Sequence, residues 1–118
     1  MEVKPSILDM VQGKIADAPR VVRSGNPGEV FELAVECSAL LASVNEALAL
    51  GELKFKQAIA KGIKDEKLAV NAAERLAEAT PDYLEYRRAK GTADALEHLI
   101  TSLRKAAEYL AHEKSLTP

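Results

Sequence analysis

From Val30 onward, apolar or small residues fall at Val30, Ala34, Cys37, Leu41, Val44, Leu48, Gly51, Phe55, Ala58 and Gly62, in alternating steps of four and three. A 3.5-residue period held over more than four heptads is a coiled-coil seam, and it leaves few folds open. A second seam, with the same steps, runs through Tyr86, Ala89, Ala93, Leu96, Ile100, Leu103, Ala107 and Leu110. Two long helices packed along these seams are therefore the expected frame. With 20 alanines and five aromatics among 118 residues, the core must be filled by Ala, Leu, Val and Ile. Such a core suits closely approaching helices better than a sandwich of sheets.

The helix boundaries are marked by local chemistry. Pro27 and Gly28 stop any helix from running into Glu29, and Glu29 and Glu32 suit the positive end of the helix dipole. Residues 29 to 62 would span about 50 Å as one helix. Gly51 and Gly62 each cost about 1 kcal/mol against Ala, which puts any break near Leu50 and Gly51. For the second long helix, Thr80 offers a cap, Pro81 a first helical position and Asp82 a negative charge. Between the seams, Glu66 to Ala79 reads as a short helix capped by Asp65, with Leu68, Ala72, Leu76 and Ala79 on one face. Short connections make neighbours antiparallel.

The sequence thus predicts an all-α fold: an antiparallel hairpin of two long helices joined by a short helix, preceded by a short helical arm. Residues 1 to 28 form the arm, either mobile or capping the hairpin. In it Pro5 to Ala18 is helical, with Ile7, Met10, Val11 and Ile15 inward, and Pro19 to Gly28 is a loop turning at Gly25-Asn26-Pro27-Gly28. Residues 29 to 118 form the hairpin, which also serves oligomerisation, because a hairpin this small leaves seam surface uncovered. Val30, Leu41, Val44, Leu48, Phe55, Leu96, Ile100, Leu103 and Leu110 are the seam residues that carry core and self-association.

Exclusions narrow the function. A hydrophobic share of 47% and a net charge of -2 do not describe a disordered chain. The single Cys37 permits no internal disulfide and points to a reducing cytoplasm. The mixed charge at the N-terminus and the lack of an 18-residue uncharged run argue against a signal peptide or a membrane span. His98 and His112 lie about 21 Å apart by helix rise, too far to share a metal. Cys37 sits on a seam, where a thiol is inert. Phosphate-cradling glycine motifs are missing, and Gly25 to Gly28 is a turn. The chain is read as non-enzymatic, with no cofactor and no metal.

Charge is distributed unevenly. Residues 29 to 50 carry four Glu and no base, whereas 51 to 67 carry Lys54, Lys56, Lys61, Lys64 and Lys67 against three acids. A hairpin turning near residues 64 to 80 brings these lysines toward Arg75, Arg87 and Arg88, gathering bases at one end. As solvated faces, the same residues would form intrahelical pairs such as Glu52-Lys56 and Arg104-Glu108, each adding a few tenths of a kcal/mol. In a symmetric oligomer, the repeated cluster becomes a continuous basic track for phosphates. Phe55, between Lys54 and Lys56, belongs to the seam and also suits base stacking.

Three segments carry a resemblance: the lysine-rich stretch Leu53-Lys54-Phe55-Lys56-Gln57, the tyrosine-containing start Thr80-Pro81-Asp82-Tyr83-Leu84-Glu85-Tyr86, and the long helix from Leu96 to Leu110. In pattern and order, residues 29 to 113 resemble the small phage recombination mediator proteins of the UvsY type. That resemblance implies a homo-oligomer that binds single-stranded DNA in the cytoplasm of a phage-infected bacterium. It also implies contacts with a strand-exchange recombinase and a single-strand binding protein, the first replacing the second. The family's paired bases two residues apart correspond to Lys54 and Lys56. Lys61, Lys64, Arg87 and Arg88 join them on charge alone. The chain departs from the family where Arg-Leu and paired aromatics would follow, having Lys56-Gln57 instead. The alternative is a helical adaptor or inhibitor that binds another protein and no nucleic acid.

Overall fold

A computed structural model describes residues 6–116, and every element in them is a helix: α1 (Ile7–Arg23), α2 (Pro27–Asp65), α3 (Val70–Glu78) and α4 (Pro81–Leu116). The fold class is the expected one, all-α with two long helices joined by a short one. α2 continues unbroken through Gly51. The chain divides into two compact units, the first comprising residues up to Val44 together with those from Thr92 onward, the second Asn45–Gly91.

In the first unit, α1 contributes Val11 and Ala18 to the core, α2 contributes Val30, Leu33, Ala34, Cys37 and Val44, and α4 contributes Ala93, Leu96, Ile100, Leu103 and Ala107. α1 is thus built into the packing of this unit. Lys14 of α1 also ion-pairs with Glu36 of α2. That hydrogen bond holds the Lys14 ammonium above the ordinary lysine value of 10.5.

α1 departs from expectation by running through Pro19 to Arg23. A proline inside a helix costs about 3 kcal/mol, because it lacks an N–H and crowds the preceding turn. Burial of Ala18 and half-burial of Val21 and Val22 hold the final turns against that cost. Ser24 closes the helix by donating its hydroxyl to the Val21 carbonyl at 2.6 Å. Met10, expected inward, is 44% exposed because Val11 takes the core position. Pro5, where the sequence reading began the helix, lies outside the described residues. The turn falls at Gly25, whose φ of 72° suits glycine. Asn26 Oδ1 then accepts the N–H groups of Gly28 at 2.9 Å and Glu29 at 3.3 Å. Pro27 is therefore the first residue of α2, two earlier than Glu29.

In the second unit, α2 and α4 run antiparallel, with Gly51 facing Tyr86 and Phe55 facing Tyr83. A Cβ on Gly51 would lie 3.1 Å from Tyr86 Cβ, and one on Gly62 would lie 3.2 Å from Ala73 Cβ. The glycines let the helices close in. Buried here are Gly62, Ala73, Ala77 and Ala89, while Leu48, Phe55, Ile59, Leu68, Tyr83 and Tyr86 are half-buried. Ala58, assigned to the seam, is exposed, because after Phe55 the inward position passes to Ile59. In a helix of 3.6 residues per turn, a strict 3.5 repeat drifts off the packed face unless a supercoil corrects it.

The link to α3 also differs from expectation. α2 ends at Asp65, Lys67 takes a left-handed φ of 55°, and the Leu68 N–H donates to the Gly62 carbonyl at 3.1 Å. Asp65 therefore caps nothing, and α3 begins at Val70, after an Ala69 that offers no side-chain bond. The half-burial of Leu68 beside Gly62 draws 66–69 into a link. Thr80 behaves as predicted, its Oγ1 accepting the Tyr83 N–H at 3.2 Å and donating to the Ala77 carbonyl at 2.7 Å.

α2 also contains one 18-residue window with mean hydropathy 1.5, of which 22% is buried within the chain. By length and composition alone this window reaches what a membrane crossing needs, against the expectation of none. Between Leu33 and Leu50 the only charged residues are Glu36 and Glu46, so the stretch is apolar on average without being an uncharged run.

The glycines separate into two kinds. Gly91→Ala, whose added Cβ meets nothing within 4 Å, should raise stability by about 1 kcal/mol through helix propensity. Gly51→Leu should lower it by roughly 1–3 kcal/mol by forcing α2 and α4 apart. Urea unfolding with an unchanged m-value is the check, and equal effects of the two would refute close packing at Gly51.

Candidate nucleic-acid interface

All six candidate basic residues fall in the second unit, and all are exposed: Lys54, Lys56, Lys61 and Lys64 on α2, Arg87 and Arg88 on α4. That unit holds nine Lys or Arg against eight Asp or Glu, net +1, while the first holds seven against ten, net -3, summing to the chain's -2. The modest excess is sharpened by its placement. At 100° per residue, Lys54, Lys61 and Lys64 share one side of α2, rising about 15 Å from first to last. None of the three makes an ion pair among the described residues.

Lys56 stands apart from that row. It is 200° around the helix from Lys54, so the two lysines flank the packed face of α2 on opposite sides. Its ammonium is also engaged, 3.2 Å from Glu52 Oε1, in a pair that leaves both side chains largely in water. Glu52-Lys56 is thus one of the intrahelical pairs the sequence suggested, whereas Arg104 and Glu108 do not pair. Spacing by two, read along the chain as a doublet, is split in space.

Phe55 lies between the two flanks. Its ring centroid is 4.8 Å from that of Tyr83, and 6.3 Å from that of Tyr86 at an interplanar angle of 8°. The three rings form a half-buried cluster joining α2 to α4, so Phe55 serves packing first. Tyr83 was not among the candidate residues. Its signal was its spacing three residues before Tyr86, which puts both on one face of α4. Arg87 follows Tyr86 directly, and Arg88 lies one position further.

Of the seam residues, Val30, Val44, Leu96, Ile100 and Leu103 are buried, and Leu41, Leu48, Phe55 and Leu110 are half-buried. His98 and His112 are both exposed, and no three of His, Cys, Asp and Glu are grouped as metal ligands among the described residues. Cys37 is fully buried, and burial pushes its thiol up from the ordinary value. What this geometry can do is attract and hold a polyanion along an exposed lysine row. Comparison with family models, with curated proteins and with solved structures gives no match, so the functional reading rests on these residues.

Burial and a raised pKa together make Cys37 a poor nucleophile. A disulfide reagent at pH 8 should leave the native thiol essentially unmodified and titrate it within seconds in denaturant. Rapid modification of the folded chain would contradict the burial.

Proposed function

We propose that this chain is a non-catalytic, self-associating protein that binds single-stranded DNA through the second unit. We further propose that it acts as a recombination mediator, helping a strand-exchange recombinase displace single-strand binding protein in the cytoplasm of a phage-infected bacterium. The observation carrying the binding is the row Lys54, Lys61 and Lys64, exposed on one side of α2 with no counter-ion among the described residues. Phosphates would displace counterions along such a row, and repetition in an oligomer would extend it. The mediator role, with its recombinase and single-strand binding protein partners, rests on the resemblance in sequence pattern. Lys56, on the other side of the packed face, and the exposed Arg87 and Arg88 of α4 add secondary contacts.

A second reading, an adaptor or inhibitor docking on another protein, is favoured by the first unit. It carries net -3 and leaves Phe31 57% and Val35 53% exposed. Retention of labelled single strands across a salt series separates the two. Retention should fall steeply with salt, and Lys54→Ala with Lys61→Ala should flatten the log-log slope by about 1.4, close to 0.7 per lost contact. Lys54→Ala with Lys56→Ala should flatten it less if Glu52 keeps Lys56 engaged, and Glu52→Gln should tighten binding. Absence of retention at low salt by the folded wild-type chain would discard the nucleic-acid reading in favour of the adaptor.

A further inference from the structure

The first unit carries an open groove of about 460 Å³ between the start of α2 and the end of α4. The groove is lined by Phe31, Arg104, Ala107, Glu108 and Ala111 among others. Phe31 is 57% exposed at its edge, and Val35, one turn further along α2, is 53% exposed.

We infer that this groove is the seat of a second copy of the chain, docked about a two-fold axis with α4 antiparallel to the partner's α4. The inference rests on the self-association in the reading above and names the surface responsible. Its warrant is self-complementarity. Thr101, Arg104, Glu108 and Ala111 follow steps of three, four and three, so they form one exposed row on α4. Antiparallel pairing centred on position 106 sets Arg104 against the partner subunit's Glu108, and Glu108 against the partner subunit's Arg104. The same register sets Thr101 against the partner subunit's Ala111, two small side chains that allow close approach. Although i and i+4 on one helix, Arg104 and Glu108 make no ion pair with each other or with any other described residue, which leaves both charges for the partner across the axis. Phe31 then covers the apolar floor at Ala107 and Ala111 from the flank.

Two other grooves of this unit, among the described residues, lack that property. The one between α1 and α4, lined by Ile15, Val22, Leu99 and Ala106, offers Arg23 but no carboxylate to meet it. The one between α1 and α2 already pairs its own cations, Lys14 with Glu36 and Arg20 with Asp17, which leaves only the carboxylates of Glu29 and Glu32 over. A two-fold interface needs both signs on one patch, and the α2/α4 groove supplies them.

The test is a charge exchange read by light-scattering mass, with circular dichroism confirming the helices. Arg104→Glu and Glu108→Arg each place like charges together twice, and each alone should weaken self-association about tenfold or more. An equimolar mixture of the two restores both pairs and should recover the wild-type mass as a heteromer, as should the double exchange in one chain. Phe31→Asp, at an exposed position, should also dissociate the protein without unfolding it. An oligomer that none of these changes affects, or a mixture that stays dissociated, overturns the inference. So does a wild-type chain that stays single, whose groove would then belong to a different partner. Single-strand retention on the same samples keeps the two readings apart. An oligomer that obeys the exchange but retains no DNA removes the nucleic-acid role and leaves the interface standing.

Discussion

The close approach of helices through small side chains is the constraint on which the structure depends. Gly51 accepts the body of Tyr86, Gly62 accepts Ala73, and Ala89, Ala93 and Ala107 line α4 where larger residues would hold its neighbours off. Such contacts bring backbones together, but each buries little apolar area, so an alanine-rich pair of helices gains less per residue than a leucine seam. The six largest fully buried side chains, Leu96, Leu103, Val11, Val30, Val44 and Cys37, all lie in the first unit, which α1 completes as a three-helix core. The second unit is held instead by alanines and by the ring cluster of Phe55, Tyr83 and Tyr86.

This division of packing bears on function. A unit with few large buried side chains opens locally at lower free energy than one built on a leucine core. The lysine row lies on that lightly packed unit, and the groove proposed for self-association lies on the other. Holding a flexible polyanion and holding a second subunit impose different demands. An assembled core favours rigidity, while a basic face of the kind proposed for single-strand binding tolerates movement.

Much of the architecture was legible from period and punctuation. The seam from Tyr86 to Leu110 lies along the inward face of α4, and Thr80 caps it, because a proline-led helix with a hydroxyl before it leaves little choice. What escaped the sequence was decided by tertiary packing. Pro19 did not end α1, since burial around it outweighed a local penalty. Asp65 did not cap α3, since Leu68 turned toward Gly62 and used up the intervening residues. Ala58 yielded its seam place to Ile59 through the drift of a helix against a 3.5 repeat. At the candidate site, the identity of the exposed lysines was legible, but their grouping was not read. Lys54 and Lys56 suggested a doublet along the chain, whereas helix rotation pairs Lys54 with Lys61 and Lys64. The engagement of Lys56 by Glu52 and the placing of Tyr83 against Phe55 needed the folded chain.

One copy of the chain presents only a short lysine row, so the proposed function requires copies to associate. Sedimentation velocity of the unmodified protein over a hundredfold range of concentration measures this most directly. The expected result is a species whose mass is an integral multiple of 12.7 kDa, persisting to low micromolar chain. A single 12.7 kDa species at every concentration would contradict it.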